Sequence, residues 1–394
     1  MKQLRILFYL IFLFTMTGVA LFAEESDEFD QEINSALEDK KENDSKRQEI
    51  QRSNTLIDRA SIPNILVAAD MVGQWDATKN DSDIQALSRD TANMREVEFG
   101  FNGAVDQWGL GSVLFAVHNE NGKFFVELHE AYFEFNQLPW NLFFKVGKYF
   151  IDAGRLNSIH RHDWRFTQAP RVHKEFFDFE AVDDFGGELS ILMPWNFYQE
   201  IKLGVFSGKK FGHAHDDGIT KAQPLFTARI KNFIPIVGNL GSHFGFSYLR
   251  YNIDQNPNNY WQTGGTDVTF KWQSGKHMSF EWTSEFWYRN EKFDVGLDTN
   301  KYGYYSFVEF QPWQMWFFGV RFDEFVLADN FDPRKGKLVD KIDYGQTIWI
   351  TLKPSEFSYF RLSGERQDYY GKKDNYLILL QADFILGHHP AHRY

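Results

Sequence analysis

The sequence predicts an all-β protein: a transmembrane antiparallel β-barrel of about 16 strands, preceded by a short helical or flexible segment. Three observations lead to this prediction. Apolar and polar residues alternate with a period of two from about residue 65 to the end of the chain. The connections between the alternating segments are short and long in turn, and Phe, Tyr and Trp make up 18% of the residues. The length of 394 residues suits one large domain or two small ones.

Composition excludes several other classes of protein. After the N-terminal segment, no run of sequence approaches the ~18 uncharged apolar residues that a membrane-spanning helix needs, which excludes a helical membrane protein. The lack of cysteine excludes a disulfide scaffold, a thiolate zinc site and a lipid anchor on cysteine. A formal net charge of −12, with no block of basic residues, argues against nucleic acid as a partner.

Residues 1–23 are predicted to be a cleaved signal peptide. Lys2 and Arg5 precede a short apolar run over 6–21, and the small residue Ala23 comes directly before an acidic stretch. A positive start, a short apolar core and a small residue before the charges are typical of secreted precursors. An uncleaved anchor helix is the alternative, and either segment directs the chain out of the cytoplasm.

Residues 24–60 are predicted to be an acidic tether in the periplasm or a short helix. Apolar residues are sparse in this segment, but Phe29, Ile33 and Leu37 have helical spacing. A solvated flexible tether explains the acidic composition equally well. No residue in this segment is expected to take part in chemistry.

Residues 61–394 are predicted to form the barrel. In the segment 316–323, for example, Trp316, Phe318, Val320 and Phe322 share one face, and Gly319, Arg321 and Asp323 lie on the other. Because successive side chains of a strand point to opposite faces, each segment has one apolar and one polar face. The predicted strands begin near Ile65, Met94, Gly111, Phe124, Leu142, Phe185, Phe197, Pro224, Gly241, Gly264, Met278, Tyr302, Met315, Asp343, Phe357 and Tyr376.

The alternation of short and long connections indicates strands that cross a membrane. Membrane barrels have short turns on the periplasmic side, longer external loops and an even number of strands, and they close because an open edge cannot be hydrated in lipid. Trp108, Trp140, Trp195 and Trp313 lie in or beside the short turns, as an interfacial belt requires. The connection 119–123 is an exception, because it is short but lies on the external side, where the other connections are long. A soluble β-sandwich or jelly roll is the alternative, but it does not require alternating turn lengths.

The polar face of the strands is predicted to line a water-filled lumen. It carries charges of both signs, including Glu130 and Lys202, which a dry interior does not tolerate without close pairing. The long connection 151–184 is expected to fold inward and narrow the pore. A plugged structural barrel is the alternative. The candidates for the pore and its constriction are Lys148, Arg155, His160, Arg161, His162, Asp163, Arg171, His173, Glu98, Arg229, Lys231, Glu281, Glu285, Arg321, Asp323 and Arg361.

Two groups of histidines suggest metal binding only weakly. His160, His162 and Asp163 form one group, and His213 and His215 belong to the other. Imidazoles two residues apart on a strand point the same way and can share an ion with a carboxylate. Loop histidines are more often bonded to their neighbours or to water, so the sequence predicts neither a specific metal site nor a cofactor.

The sequence gives little support to an enzyme. His118 and His129 fall on strands near the outer side, but there is no nucleophile elbow, phosphate-binding loop or HExxH motif. Tyr394 is a terminal aromatic residue after a predicted strand, and it is expected to be the signal that the barrel assembly machinery reads.

Several short motifs resemble those of a known family. They are Gly147-Lys148-Tyr149, the sequence GRLN over 154–157, the sequence HRHD over 160–163, and a tail GHHPAHRY over 387–394. In these motifs the chain resembles bacterial outer-membrane porin-type proteins, and in particular an uncharacterised group sometimes labelled TonB-dependent or zinc-regulated receptors. The chain departs from true receptors because it lacks a plug domain and is too short for a 22-strand barrel.

The resemblance implies a location in the bacterial outer membrane and passive transport of solutes or a transport role related to metals; we expect a channel for small hydrophilic solutes. The expected partners are outer-membrane lipid, those solutes and the barrel assembly machinery, and the resemblance to porins adds a homotrimer as one form of assembly. Two other hypotheses remain open at this point: a surface adhesin or structural barrel, and a barrel for metal (zinc) uptake.

Overall fold

A computed structural model describes residues 63–76, 91–120, 122–208, 224–254, 256–296, 298–332 and 336–387. The predicted signal peptide and tether lie outside the described residues, as do His213, His215 and Tyr394. Within these ranges, no helix is long and apolar enough to cross a lipid bilayer.

Sixteen antiparallel strands close into a barrel, in which each strand pairs with its neighbours in sequence and β1 pairs with β16. The predicted number of strands is confirmed, and the largest difference in a starting residue is at β14, which begins at Lys337 rather than Asp343. The strands are β1 (Asn64–Asp76), β2 (Thr91–Asp106), β3 (Gly109–Glu120), β4 (Lys123–Phe135), β5 (Leu142–Phe150), β6 (Asp183–Leu192), β7 (Tyr198–Phe206), β8 (Leu225–Val237), β9 (Leu240–Asn252), β10 (Tyr260–Ser274), β11 (Met278–Lys292), β12 (Thr299–Trp313), β13 (Trp316–Asp332), β14 (Lys337–Ser355), β15 (Ser358–Asp368) and β16 (Asn375–Gly387).

The alternation in sequence becomes an apolar outer face and a largely polar inner face. On β16, Ile378 and Leu380 are about half exposed on the outside, whereas Gln381 and Asp383 are buried on the inside. An apolar outer band around a closed strand barrel is the surface that contacts lipid chains. The four tryptophans predicted beside the short turns are all 53–82% exposed, as a membrane-interface belt requires.

The connection between β5 and β6, residues 151–182, lies inside the barrel and is called the inner loop below. It contains a single 3₁₀ turn (Arg161–Asp163) and one short helix, α1 (Arg171–Phe177). Its backbone contacts strands on widely separated parts of the wall: Gly154 N donates to Ser247 Oγ on β9, and Arg171 N donates to Asp323 on β13. A chain segment can reach both strands only by crossing the lumen.

Aromatic packing holds the inner loop against one half of the wall. Phe166 packs edge-on against Tyr305, Phe307 and Trp349, and Phe177 packs edge-on against Trp287 at a centroid distance of 4.7 Å. These side chains belong to one buried hydrophobic cluster that the loop shares with the strands. The lumen at this level therefore contains a packed core, and the polar space lies beside it.

Candidate functional site

A cavity of about 1170 Å³ lies inside the barrel, on the side of the inner loop that faces the short turns. It is lined by wall residues near those turns, such as Asn64 and Ser355, and by inner-loop residues between Asp152 and Phe166. Its cationic side chains are Lys145, Arg155, Arg165, Lys202, Arg229, Lys231 and Lys353, and its acidic ones are Glu130, Glu134, Asp152, Asp163, Glu188, Glu200, Glu281 and Glu356. Charges of both signs thus line the cavity in near balance.

One end of the inner loop is held by a group called the basic anchor: Asp152 with Lys202, Arg229 and Lys231. Asp152 Oδ2 lies 2.8 Å from Lys202 Nζ and 2.6 Å from Lys231 Nζ, and Asp152 Oδ1 lies 3.0 Å from Arg229 Nε. Burial raises the pKa of Asp152, but the charges of Lys202, Lys231 and Arg229 outweigh this and hold it well below its usual value. The carboxylate is therefore charged and fixes the start of the loop to β7 and β8.

Arginines of the wall donate hydrogen bonds to carbonyl groups of the inner loop. Arg321 Nη1 lies 2.6 Å from Gln168 O, and Arg361 Nη2 lies 2.8 Å from Trp164 O. Such bonds satisfy backbone groups that would otherwise be buried without partners. The wall thus fixes the loop backbone through charged side chains and its aromatic residues through packing.

A second polar group connects the loop to β2, β3 and β4. It is called the acid–histidine cluster and consists of Glu96, Glu98, His118, His129, His160 and Glu180. The Nδ1 atom of His129 lies 3.5 Å from Glu98 Oε1, 3.8 Å from Glu96 Oε1 and 3.9 Å from Glu180 Oε1. On its other side, His129 Nε2 lies 2.9 Å from His118 Nε2. Carboxylates from the wall and from the loop thus converge on one buried imidazole.

Two β-bulges place these side chains. On β2, Asp70 pairs with Glu96 and Met71 with Met94, so Arg95 is an extra residue without a partner in the register. On β4, His129 is extra in the same way, because Leu114 pairs with Glu130 and Phe115 with Leu128. A bulge lets two consecutive residues face the same side of a sheet. Arg95 and Glu96 on one strand, and His129 and Glu130 on the other, are consequently turned inward together.

The inner-loop histidines differ in charge. Burial by itself lowers the pKa of His160, but the charge of Glu98 and a hydrogen bond with Glu130 raise it well above its usual value. Burial likewise opposes protonation of His162, and Glu98 and Asp163 raise its pKa well above the usual value. In contrast, burial lowers the pKa of His173 to about 4, so this imidazole is neutral and its Nε2 donates to Glu180 O at 2.8 Å. Positive charge is thus favoured at His160, within the cluster, and at His162 beside it, and it is excluded at His173 of helix α1.

The predicted pore residues fall into two sets. Those that line the cavity are Arg155, His160, His162, Asp163, Arg229, Lys231 and Glu281. Those that mainly contact the loop or their own neighbours are Glu98, Lys148, Arg161, Arg171, His173, Glu285, Arg321, Asp323 and Arg361. Apart from Lys148, the second set faces the lumen side of the wall or belongs to the loop, and it holds the loop in position. Lys148 pairs in register with Phe185, which is 63% exposed, so Lys148 lies on the outer face of β5, opposite the cavity-lining Lys145.

Lys148, Arg171 and Glu285 illustrate the second set. Lys148 is ion-paired with Asp183 at the entry to the loop, and Arg171 Nε lies 2.9 Å from Asp343 Oδ2. Glu285 accepts hydrogen bonds from Arg155 N, Trp287 Nε1 and the Tyr305 hydroxyl beneath the loop.

Sequence reasoning did not single out Glu96, Asp152 or Glu180, and it gave His129 no role. Glu180 follows helix α1 in an irregular segment, so no periodic pattern indicates its direction. His129 and Glu130 cannot both face inward under strict alternation, and only the bulge makes this possible. One usable signal existed: Glu96 and Glu98 have strand spacing and share a face, so the assignment of Glu98 to the lumen also applied to Glu96.

Comparison with known proteins shows the fold. No family model matches the sequence. An uncharacterised protein of Aquifex aeolicus is 26% identical over 300 residues, a region that covers 67% of this chain and 63% of that protein. The chain therefore matches less than two thirds of the length of that relative.

Solved outer-membrane barrels resemble the structure. The trimer form of OmpT from Vibrio cholerae superposes with a TM-score of 0.55 at 10% identity, covering 82% of this chain and 99% of that one. The outer membrane channel DcaP of Acinetobacter baumannii gives 0.54 at 11% identity, covering 82% and 96%. The anion-selective porin of Comamonas acidovorans gives 0.55 at 8% identity, covering 82% and 99%. The protein thus has the fold of a porin-like 16-strand β-barrel.

Proposed function

We propose that the protein is an outer-membrane channel for the passive diffusion of small hydrophilic solutes, with a passage narrowed by the inner loop. The observation that carries this proposal is the cavity of about 1170 Å³, bounded on one side by the inner loop and lined by charges of both signs. Sixteen-strand barrels are wide enough for an aqueous channel. A lining of this kind favours water and polar solutes over lipid-soluble ones.

The charge of the lining suggests which solutes pass most easily. Seven cationic and eight acidic side chains line the cavity, so its formal charge is close to zero. A strong excess of one sign is what gives a pore strong ion selectivity. We therefore expect weak selectivity between anions and cations, with solute size as the main restriction.

Other expectations from the sequence join this proposal. We propose that residues 1–23 are the signal peptide and that residues 24–60 are a periplasmic segment. We also propose that the chain belongs to the porin-type group that has the GRLN and HxHD motifs. A homotrimer is proposed because a trimeric form occurs among the structural neighbours. We propose no catalytic role.

Conductance across a planar bilayer tests the channel. The purified protein should migrate differently on a gel before and after heating, as folded barrels do, and it should then give stable single-channel steps. Entry of uncharged sugars into vesicles should fall steeply as the size of the sugar increases. Folded protein that gives neither conductance nor sugar entry would favour the adhesin or structural barrel instead.

A charge-reversing variant tests whether the described cavity is the conducting path. Arg165 lines the cavity and lies 3.2 Å from Glu281 Oε2. Arg165→Glu should shift the ion selectivity of the channel toward cations. Lys292→Glu is the matched control, because Lys292 is exposed at the end of β11 and lies outside the cavity lining. A shift of equal size in both variants would contradict this assignment of the path.

A further inference from the structure

The acid–histidine cluster contains buried polar atoms that lack hydrogen bonds. His129 and Glu96 are each 3% exposed. Among the residues that the structure describes, His129 Nδ1, both carboxylate oxygens of Glu96, and Glu180 Oε1 have no hydrogen-bond partner. Buried groups of this kind are almost always hydrogen-bonded, and an ionised carboxylate without a partner is costly to bury. The cluster therefore has the properties of a site for a further positive charge.

The spacing of the atoms indicates what kind of charge would fit. The separations of 3.5, 3.8 and 3.9 Å between His129 Nδ1 and the three carboxylate oxygens exceed a normal hydrogen bond of about 2.7–3.2 Å. In a tetrahedral site with metal–ligand distances of ~2.0–2.1 Å, neighbouring ligand atoms lie about 3.4 Å apart. Small adjustments of side chains would bring this set to that geometry.

We propose that Glu98, His129, His160 and Glu180 bind one divalent transition-metal ion, which joins the inner loop to the barrel wall. The four side chains each offer a ligand atom, and all four atoms lie within 4.8 Å of one another. A histidine binds metal in its neutral form, so His160 would release a proton to solvent on binding, and the ion would supply the positive charge in its place. Two imidazole nitrogens and two carboxylate oxygens suit zinc-like ions better than Mg²⁺ or Ca²⁺, which prefer oxygen ligands alone. The site goes beyond the channel function and does not depend on it.

Other residues of the cluster hold these ligands in place. His118 lies 2.9 Å from His129 through their Nε2 atoms, which orients His129 Nδ1 toward the carboxylates. His162 Nδ1 lies 2.7 Å from Glu98 Oε2, and Arg161 Nη2 lies 3.3 Å from Glu180 Oε2. Metal sites in proteins depend on such outer contacts, because they fix the orientation and tautomer of each ligand.

The overlapping group of Glu96 and His118 with His129 and Glu180 fits less well. His118 Nε2 is already engaged with His129 Nε2, and His118 Nδ1 lies 4.0 Å from Glu96 Oε2. In the chosen set, His160 Nδ1 lies only 3.2 Å from Glu98 Oε1. His160 precedes helix α1 and Glu180 follows it, so an ion bound here would tie both arms of the loop to β2 and β4.

Measuring the zinc content of the protein tests directly whether the proposed site binds a metal ion. Folded full-length protein in detergent is treated with a chelator, incubated with excess Zn²⁺ and dialysed, and its zinc content is determined by atomic emission. We expect the wild type to retain one zinc ion per barrel more than His129→Ala or Glu180→Gln. Binding of Co²⁺ should give the intense visible absorption of a tetrahedral site in the wild type and not in these variants.

His243→Ala is the matched control, because His243 is a buried lumen histidine outside the cluster, and this variant should retain the zinc. His213, His215 and the three histidines of residues 388–394 are present in every variant, so metal bound there cancels in the comparison. Heat-modifiable migration shows whether each variant folds, and Glu180→Gln leaves all strands unchanged should His129→Ala not fold.

Equal zinc content in the wild type, His129→Ala and Glu180→Gln would overturn the proposal, as would loss of zinc from His243→Ala. Retention of the zinc in a folded Glu98→Gln/His160→Ala double variant would refute the ligand set. Because zinc content is measured without reference to conductance, failure of the metal site and failure of the channel are distinguishable.

Discussion

The inner loop meets the barrel wall at two places of opposite electrical character. In the basic anchor, Asp152 contacts three cations at 2.6–3.0 Å, and the same cations also contact carboxylates of the wall: Glu188, Glu200 and Asp267. In the acid–histidine cluster, three carboxylates surround the imidazole of His129 at 3.5–3.9 Å, and Arg161 contacts two of these carboxylates at 3.3 and 3.6 Å. Both places are buried, and both tie the same segment to the wall.

The difference shows what each place requires to be stable. At the basic anchor the chain itself supplies opposite charges at short distance, which is the condition under which buried ions are tolerated. Asp152 Oδ1 and Arg229 Nε of the anchor have no hydrogen bond within the described part of the chain, but they lie 3.0 Å apart as an ion pair. At the acid–histidine cluster, His129 Nδ1, Glu96 Oε1 and Glu180 Oε1 also have no hydrogen bond there, and the contacts of His129 Nδ1 with the carboxylates are longer, at 3.5–3.9 Å. The first is complete in the protein alone, whereas the second is completed by an added cation. Variants that treat the two places differently therefore test this comparison.

The largest expected effect is the loss of the central carboxylate of the basic anchor. Asp152→Ala removes the carboxylate nearest to the buried Arg229 and Lys231, and removing one partner of a buried ion pair costs up to about 3–5 kcal/mol when no other partner is left. Arg229 keeps Asp267 and Lys231 keeps a longer contact with Glu200, so the expected decrease is about 2–3 kcal/mol. Urea unfolding of the barrel in detergent should show a decrease of this size in the free energy of unfolding. Asp298→Ala is the control, because its ion pair with Lys292 is exposed, and it should change little. Equal effects would show that the anchor is not important for stability.

The next effect is the removal of metal from the acid–histidine cluster. An ion present at about 100 times its dissociation constant stabilises the folded state by about 2.7 kcal/mol. Adding Zn²⁺ should raise the thermal unfolding temperature of the wild type, and a chelator should reverse the increase. Asp152→Ala should be less stable than the wild type but respond to Zn²⁺ to the same extent, because its anchor is separate from the cluster. A response in folded His129→Ala would contradict the comparison.

The sequence predicts the barrel fold far better than it predicts the contacts in the basic anchor and the acid–histidine cluster. Period-two alternation and the order of connection lengths determine a closed barrel because each strand is a local pattern, and its strand count is confirmed. The inward direction of Arg229 and Glu98 follows from the same local rule. The bulges at Arg95 and His129 break that rule, and the local sequence pattern does not predict them.

The path of the inner loop could not be predicted either. Its aromatic residues Phe166 and Phe177 pack against strands that are more than a hundred residues away in sequence. The partners of Asp152 and Glu180 follow from this packing and from no pattern near those residues. Sequence reasoning could therefore identify charged candidates, but it could not separate those that line the cavity from those that hold the loop.

The third prediction concerns pH and applies to the basic anchor. Neighbouring cations hold the pKa of Asp152 well below its usual value, so the carboxylate contributes stability above its unfolded pKa of about 3.9. That contribution is lost as the pH falls from there through the lower folded pKa. The stability difference between wild type and Asp152→Asn should be constant from pH 7 to about 5 and should shrink below about 4. A difference that already disappears near pH 6 would show that another group controls the anchor.

The smallest effect is expected from removing one cation of the basic anchor. In Lys231→Met, Asp152 still contacts Lys202 and Arg229, and the mutual repulsion among the three neighbouring cations is reduced. The decrease in the free energy of unfolding should stay below about 1 kcal/mol, near the size of one ordinary hydrogen bond.

The matched variant in the acid–histidine cluster is Arg161→Met. Arg161 contacts Glu96 and Glu180, so its loss leaves more negative charge buried among carboxylates. In metal-free protein this variant should therefore be less stable than Lys231→Met, and added Zn²⁺ should restore part of the difference. If the two variants lose the same stability and neither responds to Zn²⁺, then the two places do not differ in the way their charges are balanced. The contrast would then be one of geometry alone.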